Sequence, residues 1–161
     1  MLKRITPVLI LVLITLVVQT LLPLISGELT IANPFLALLV ILAVRGGKEA
    51  GVLWGALLGG LSDAYFSLPY IGFHGAAFTV AGYLLGWIGS KVVIRGVLPL
   101  AFFACVTYVL DAGVVSLLYL LLGLPLASPL ILLVLLGAAL TAALAAALEA
   151  VAKRVYPPEG P

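Results

Sequence analysis

ITPVLILVLITLVVQTLLPLI, residues 5–25, is a run of twenty-one residues without a single charge. At the helical rise of 1.5 Å per residue it reaches about 30 Å, the thickness of the hydrocarbon core of a bilayer. Lys3 and Arg4 precede it, as they would a secretory signal, but the run is too long and no A-x-A-like cleavage site follows. It reads as a retained first membrane span. The rest of the chain has the same character: of 161 residues, 65% are hydrophobic and 9% charged, and the mean hydropathy is +1.36. A water-soluble domain of this size cannot bury so large an apolar share. At roughly 20 residues per crossing, the length allows six crossings with short loops and no room for a soluble catalytic module.

Charges and turn residues divide the chain into spans at about 5–25, 33–44, 50–67, 73–90, 97–122 and 129–150, with a short Pro-rich tail at 156–161. The expected fold is all-α, a single polytopic domain over 1–161. Asn33-Pro34 is a strong helix start, an N-cap followed by Pro at the first helical position. The span it opens is nevertheless short, because Arg45 arrives after about 16 to 18 Å of helix. It is either tilted, extended past Gly46-Gly47, or an incomplete crossing. Lys and Arg occur at every second junction: Lys3 and Arg4, Arg45 and Lys48, Lys91 and Arg95, Lys153 and Arg154. The alternate junctions, Ser26–Ala32, Leu68–Gly72 and Gly123–Ser128, have none. By the positive-inside rule both ends are expected in the cytoplasm, the N-in/C-in arrangement of an even number of crossings.

Small residues mark the expected helix contacts. Gly51, Gly55 and Gly59 recur every four residues on the third span, Gly82, Gly86 and Ser90 on the fourth, and Ala138, Ala142, Ala146 and Ala150 on the sixth, with Gly137, Thr141 and Ala145 beside them. Such spacing lets backbones approach closely in lipid, where packing replaces the hydrophobic effect. Spans three, four and six are therefore expected to form the packed centre. The first span has no Ala or Gly and is expected at the periphery, facing lipid or a partner's helix.

Two acids fall inside spans, Asp63 on the third and Asp111 on the fifth, each costing about 2.5 to 3.5 kcal/mol at a helix centre. Both are expected in the outer half of the bilayer, on the side where His74 opens the fourth span. Together they form either an ionisable cluster that moves protons or holds a ligand, or a set of structural acceptors that lock helices together. The second reading is preferred, since a second His and a fixed ligand spacing are lacking. Ser62 or Ser67 could complete a hydrolase triad with His74, but no G-x-S-x-G elbow supports it. Glu149 beside Lys153 reads as an interfacial i to i+4 pair. Cys105 is the single cysteine, which excludes an internal disulfide and a thiolate metal cage. No metal or cofactor is expected, and the +2 net charge lacks the dense basic face that nucleic acid requires.

Within Asn33–Gly89, about a third of the chain, five pieces follow in order: Asn33-Pro34-Phe35, Arg45-Gly46-Gly47, Gly59-Gly60-Leu61-Ser62-Asp63, Gly72-Phe73-His74-Gly75-Ala76 and Gly82-Tyr83-Leu84-Leu85-Gly86. Their order and spacing resemble the central part of the bacterial rod-shape-determining membrane protein family MreD, with its G-L-x-D helix, G-x-H-A-like turn and G-Y-L-x-G helix. Phe35 departs from that pattern, which has an acid after the Pro. The resemblance implies a non-catalytic, multi-pass protein of the bacterial cytoplasmic membrane that takes part in cell elongation. Its implied partner is the single-pass protein MreC and, through it, the RodA glycosyltransferase, a class B penicillin-binding protein and the MreB filament that direct peptidoglycan synthesis. The alternative from another class is the substrate-binding subunit of an energy-coupling-factor vitamin transporter, also a small six-helix protein. Such subunits are expected to offer small residues on the first span, which residues 5–25 do not.

Overall fold

The computed structural model describes residues 2–66, 72–92, 94, 96–124 and 131–155. Among them the structure is all-helical: α1 (Leu2–Ile25), a 3-10 turn (Gly27–Ile31), α2 (Pro34–Phe66), α3 (Phe73–Lys91), α4 (Val97–Leu121) and α5 (Ile131–Val155). Four of these segments are long and apolar enough to cross a membrane. In hydrocarbon this is the expected economy, because a helix satisfies its own backbone groups.

The expected break between the second and third spans is reduced to one residue. The helix α2 runs through 45–50 except at Gly47, whose φ of 80° and ψ of −172° leave the helical region. A Cβ would be strained at that φ, so glycine lets the chain reverse without a loop. The reversal is complete: Asn33, just before α2, donates from Nδ2 to Ser62 Oγ near its far end at 3.3 Å. The helix is thus a hairpin of two arms, 34–46 and 48–66, and the described residues form five α-helices but six helical rods.

The packed centre also differs from expectation. The first arm, the short second span, is the core: Phe35 to Ile41 are all fully buried. A rod enclosed on all sides by protein does not have to match the thickness of the lipid, which accounts for its shortness and for its lack of a polar face. The most extensive interface in the bundle is between the α2 hairpin and α3. The second arm and α3 run antiparallel, and Gly51, Gly55 and Gly59 each abut α3 main chain, at Gly82, Phe78 and His74-Gly75 respectively. Gly86 lies against the main chain of Gly47 and Lys48, so the α3 stripe covers the hairpin turn as well. The α3 residue Ser90 is exposed.

On α5 the stripe that packs is shifted by one position from the expected one. Gly137, Thr141, Ala145 and Glu149 are buried, together with Ala138, whereas Ala142 and Ala146 are half-buried and Ala150 is exposed. The reason lies in Tyr108 on α4, whose ring fits against Gly137 where any Cβ would collide with it. The helix α1 is peripheral on one face only. Leu9, Leu13, Val17 and Leu21 are exposed, but Leu11, Thr15 and Gln19 are buried against the bundle.

Candidate functional site

The second arm ends in Ser62-Asp63, two adjacent buried residues that serve different neighbours. Ser62 faces the start of the first arm. There Asn33 caps α2 by accepting from the Leu36 N–H at Oδ1 (3.1 Å), while its own N–H donates to Thr141 Oγ1 of α5 (3.0 Å). With the bond to Ser62, this one side chain and its peptide tie together both arms of the hairpin and α5. Nearby, the Tyr108 hydroxyl donates to the Ile31 carbonyl at 2.7 Å, which fastens α4 to the same end of the bundle.

Asp63 faces α3. Its Oδ2 accepts from the main-chain N–H of Gly72 (2.9 Å) and Gly75 (3.0 Å), and its Oδ1 accepts from the N–H of His74 (2.9 Å). These are the donors that the first turn of a helix leaves without intrahelical partners. The carboxylate therefore caps α3 from another helix, and its negative charge complements the positive end of the α3 dipole. Residue 63 is fully buried, and its three short bonds are distributed over both oxygens.

The imidazole of His74 turns away toward α4. Its Nδ1 lies 3.0 Å from Asp111 Oδ1, with the two side chains 15% and 7% exposed. The expected outer cluster thus divides into two linked units, a carboxylate capping α3 and an imidazole–carboxylate pair joining α3 to α4. His74 belongs to both, by its main chain in the first and its ring in the second. Ser62 Oγ is held by Asn33, and Ser67 lies outside the described residues. Among the described residues no group of three His, Cys, Asp or Glu could hold a metal ion.

An open groove of about 510 Å³ lies between the second arm and α3, lined by Ala56, Gly60, Ala76 and Val80 with Asp63 and Gly72. A second polar cluster occupies the basic end of the bundle. Arg45 Nη2 contacts both oxygens of Glu149, at 2.8 and 2.7 Å, and Glu149 is 4% exposed. Lys153, the partner expected from helical spacing, is 3.9 Å away and more exposed. Asn33 and Arg45 were legible as helix start and topology marker but not as long-range partners, since their contacts lie 108 and 104 positions away in the chain. The buried Gln19 carried a signal of its own, the one amide side chain in the uncharged run 5–25.

Compared with protein-family models, with curated proteins and with solved structures, the chain gives no match in any of the three.

Proposed function

We propose that the chain is a non-catalytic, multi-pass component of the bacterial cytoplasmic membrane, similar to MreD, that binds an MreC-like single-pass protein. Through that partner it would help direct lateral peptidoglycan synthesis by RodA, a class B penicillin-binding protein and MreB. In this reading α1, the two arms of α2, α3, α4 and α5 make six crossings, with Arg45, Lys48, Lys91, Lys153 and Arg154 at cytoplasmic junctions.

The observation that carries the proposal is the use made of the residues on which the resemblance rests. Asp63 of Gly-Leu-Ser-Asp caps the turn at Gly72–Gly75, Gly59 seats against that turn, and Gly82 and Gly86 seat against Gly51 and the hairpin. The pieces thus fit one another as a packing device, and the most conspicuous acid is engaged by main chain. Residues arranged this way favour a scaffold that presents helix surfaces over an enzyme that presents a reactive group.

The test is affinity purification of the tagged chain from native membranes in mild detergent. An MreC-like single-pass protein should be recovered at a defined ratio. Recovery alone, or with an ATP-binding transporter module and a bound vitamin, would overturn the proposal, and the latter result would favour the energy-coupling-factor alternative.

A further inference from the structure

The face of α1 that meets the bundle carries Leu11, Thr15 and Gln19 at successive four-residue steps, all at most 1% exposed. Two of the three need nothing further. Leu11 is apolar, and the Thr15 hydroxyl donates to the Leu11 carbonyl at 2.8 Å. Gln19 is different, because both its Nε2 and its Oε1 are buried without a hydrogen-bond partner in the protein. The same residue is firmly placed by its main chain, since the Tyr65 hydroxyl at the end of the second arm donates to its carbonyl at 3.0 Å. Tyr65 is itself packed edge-on against Phe35 at the top of the first arm, with ring centroids 6.5 Å apart. The main chain of Gln19 is thus fastened to the outer end of the hairpin, and its amide is enclosed on the face of α1 that meets the bundle.

A primary amide in such surroundings offers two donors and an acceptor, and burying them unmatched inside a bilayer is strongly unfavourable. Leucine would fill the position at no polar cost, as Leu11 does on the same face. A transmembrane partner cannot supply the missing bonds, because the side chain is shut off from the outer surface of the bundle. What can reach it is a small molecule enclosed with it.

We propose that the Gln19 carboxamide binds a small neutral molecule that both donates and accepts hydrogen bonds, enclosed between α1 and the outer end of the α2 hairpin. Two sources share that chemistry: internal water, and an organic amide or alcohol captured from the cell. The site is independent of which protein partner the bundle binds.

Gln19 is the single glutamine of the chain, so selective nitrogen labelling of glutamine gives one side-chain amide pair to follow by NMR. In the full chain, reconstituted in nanodiscs with deuterated lipid, the amide protons should show cross-relaxation either to water or to protons of a co-purified compound. Mass spectrometry of the denatured extract distinguishes the two, since only the second source yields a compound of defined mass. Gln19→Met, which keeps the length of the side chain but removes its donors and acceptor, should abolish retention of any such compound while helix content stays unchanged. Amide cross-peaks confined to protein protons would overturn the proposal. So would an extracted compound still retained at the same stoichiometry by Gln19→Met.

Discussion

Replacing Asp63 should uncouple the second arm from α3, and the size of the effect can be worked from three bonds. In Asp63→Leu the N–H groups of Gly72, His74 and Gly75 lose their acceptor together. A buried donor left unpaired costs about 1–3 kcal/mol, so the loss is about 3–9 kcal/mol, reduced by whatever the buried charge itself costs to desolvate. That is a large part of the roughly 5–15 kcal/mol by which a folded domain is stable. Asp63→Asn keeps one acceptor oxygen. If it takes the place of Oδ2 it retains Gly72 and Gly75, but its amide group then meets the His74 N–H donor to donor. The remaining bonds also become neutral, at about half the strength of charge-assisted ones. A loss of about 2–4 kcal/mol follows from one unpaired donor plus the weakening. The assay is thermal unfolding in nanodiscs, combined with hydrogen exchange at the three amides. Stability should fall in the order wild type, Asp63→Asn, Asp63→Leu, and protection at residues 72, 74 and 75 should fall with it. Retained protection at those amides in a folded Asp63→Leu protein would refute the capping argument, whatever the melting temperature.

Other outcomes follow from the same packing. Gly55→Ala should lower the melting temperature, because its new methyl would collide with the Phe78 carbonyl and the Thr79 backbone, whereas Gly60→Ala meets nothing within 4 Å and should be neutral or stabilising by up to about 1 kcal/mol; equal effects in thermal unfolding would mean that the two helices are not in close contact. Arg45→Met leaves Glu149 buried without its main partner and should cost about 3–5 kcal/mol, while the double replacement Arg45→Met with Glu149→Met should recover most of it, as a double-mutant cycle would measure. In a Cys105→Ala background, a cysteine at Glu28 should react with an impermeant thiol reagent added outside the cell and one at Lys48, exposed beside the hairpin turn, should not; labelling at 48 would reverse the proposed orientation.

The residues themselves determine that this chain is helical, with segments long and apolar enough to cross a membrane, because those properties depend on local sums: a run of apolar residues, an N-cap at Asn33-Pro34, and glycines repeating every four positions on one helix face. They also bring Asp63, His74 and Asp111 to notice, since an acid or imidazole within an apolar run is costly wherever it ends up. What they could not determine is which neighbour each residue meets. The first arm of α2 looks like a deficient crossing when its length is compared with lipid, and only enclosure by the other helices makes a short apolar rod the core. Glu149 has a local partner at Lys153 by helical spacing, yet the planar guanidinium of Arg45 is nearer and better matched, and that choice exists only once α2 and α5 lie side by side. The α5 alanines offer several equivalent stripes, and the Tyr108 ring selects the one containing Gly137. The role of Asp63 is likewise tertiary, because the donors it satisfies belong to another helix and its own sequence neighbours do not reveal them. Local chemistry sets how much each polar group costs in the membrane, whereas the packing of the rods decides which partner offsets that cost.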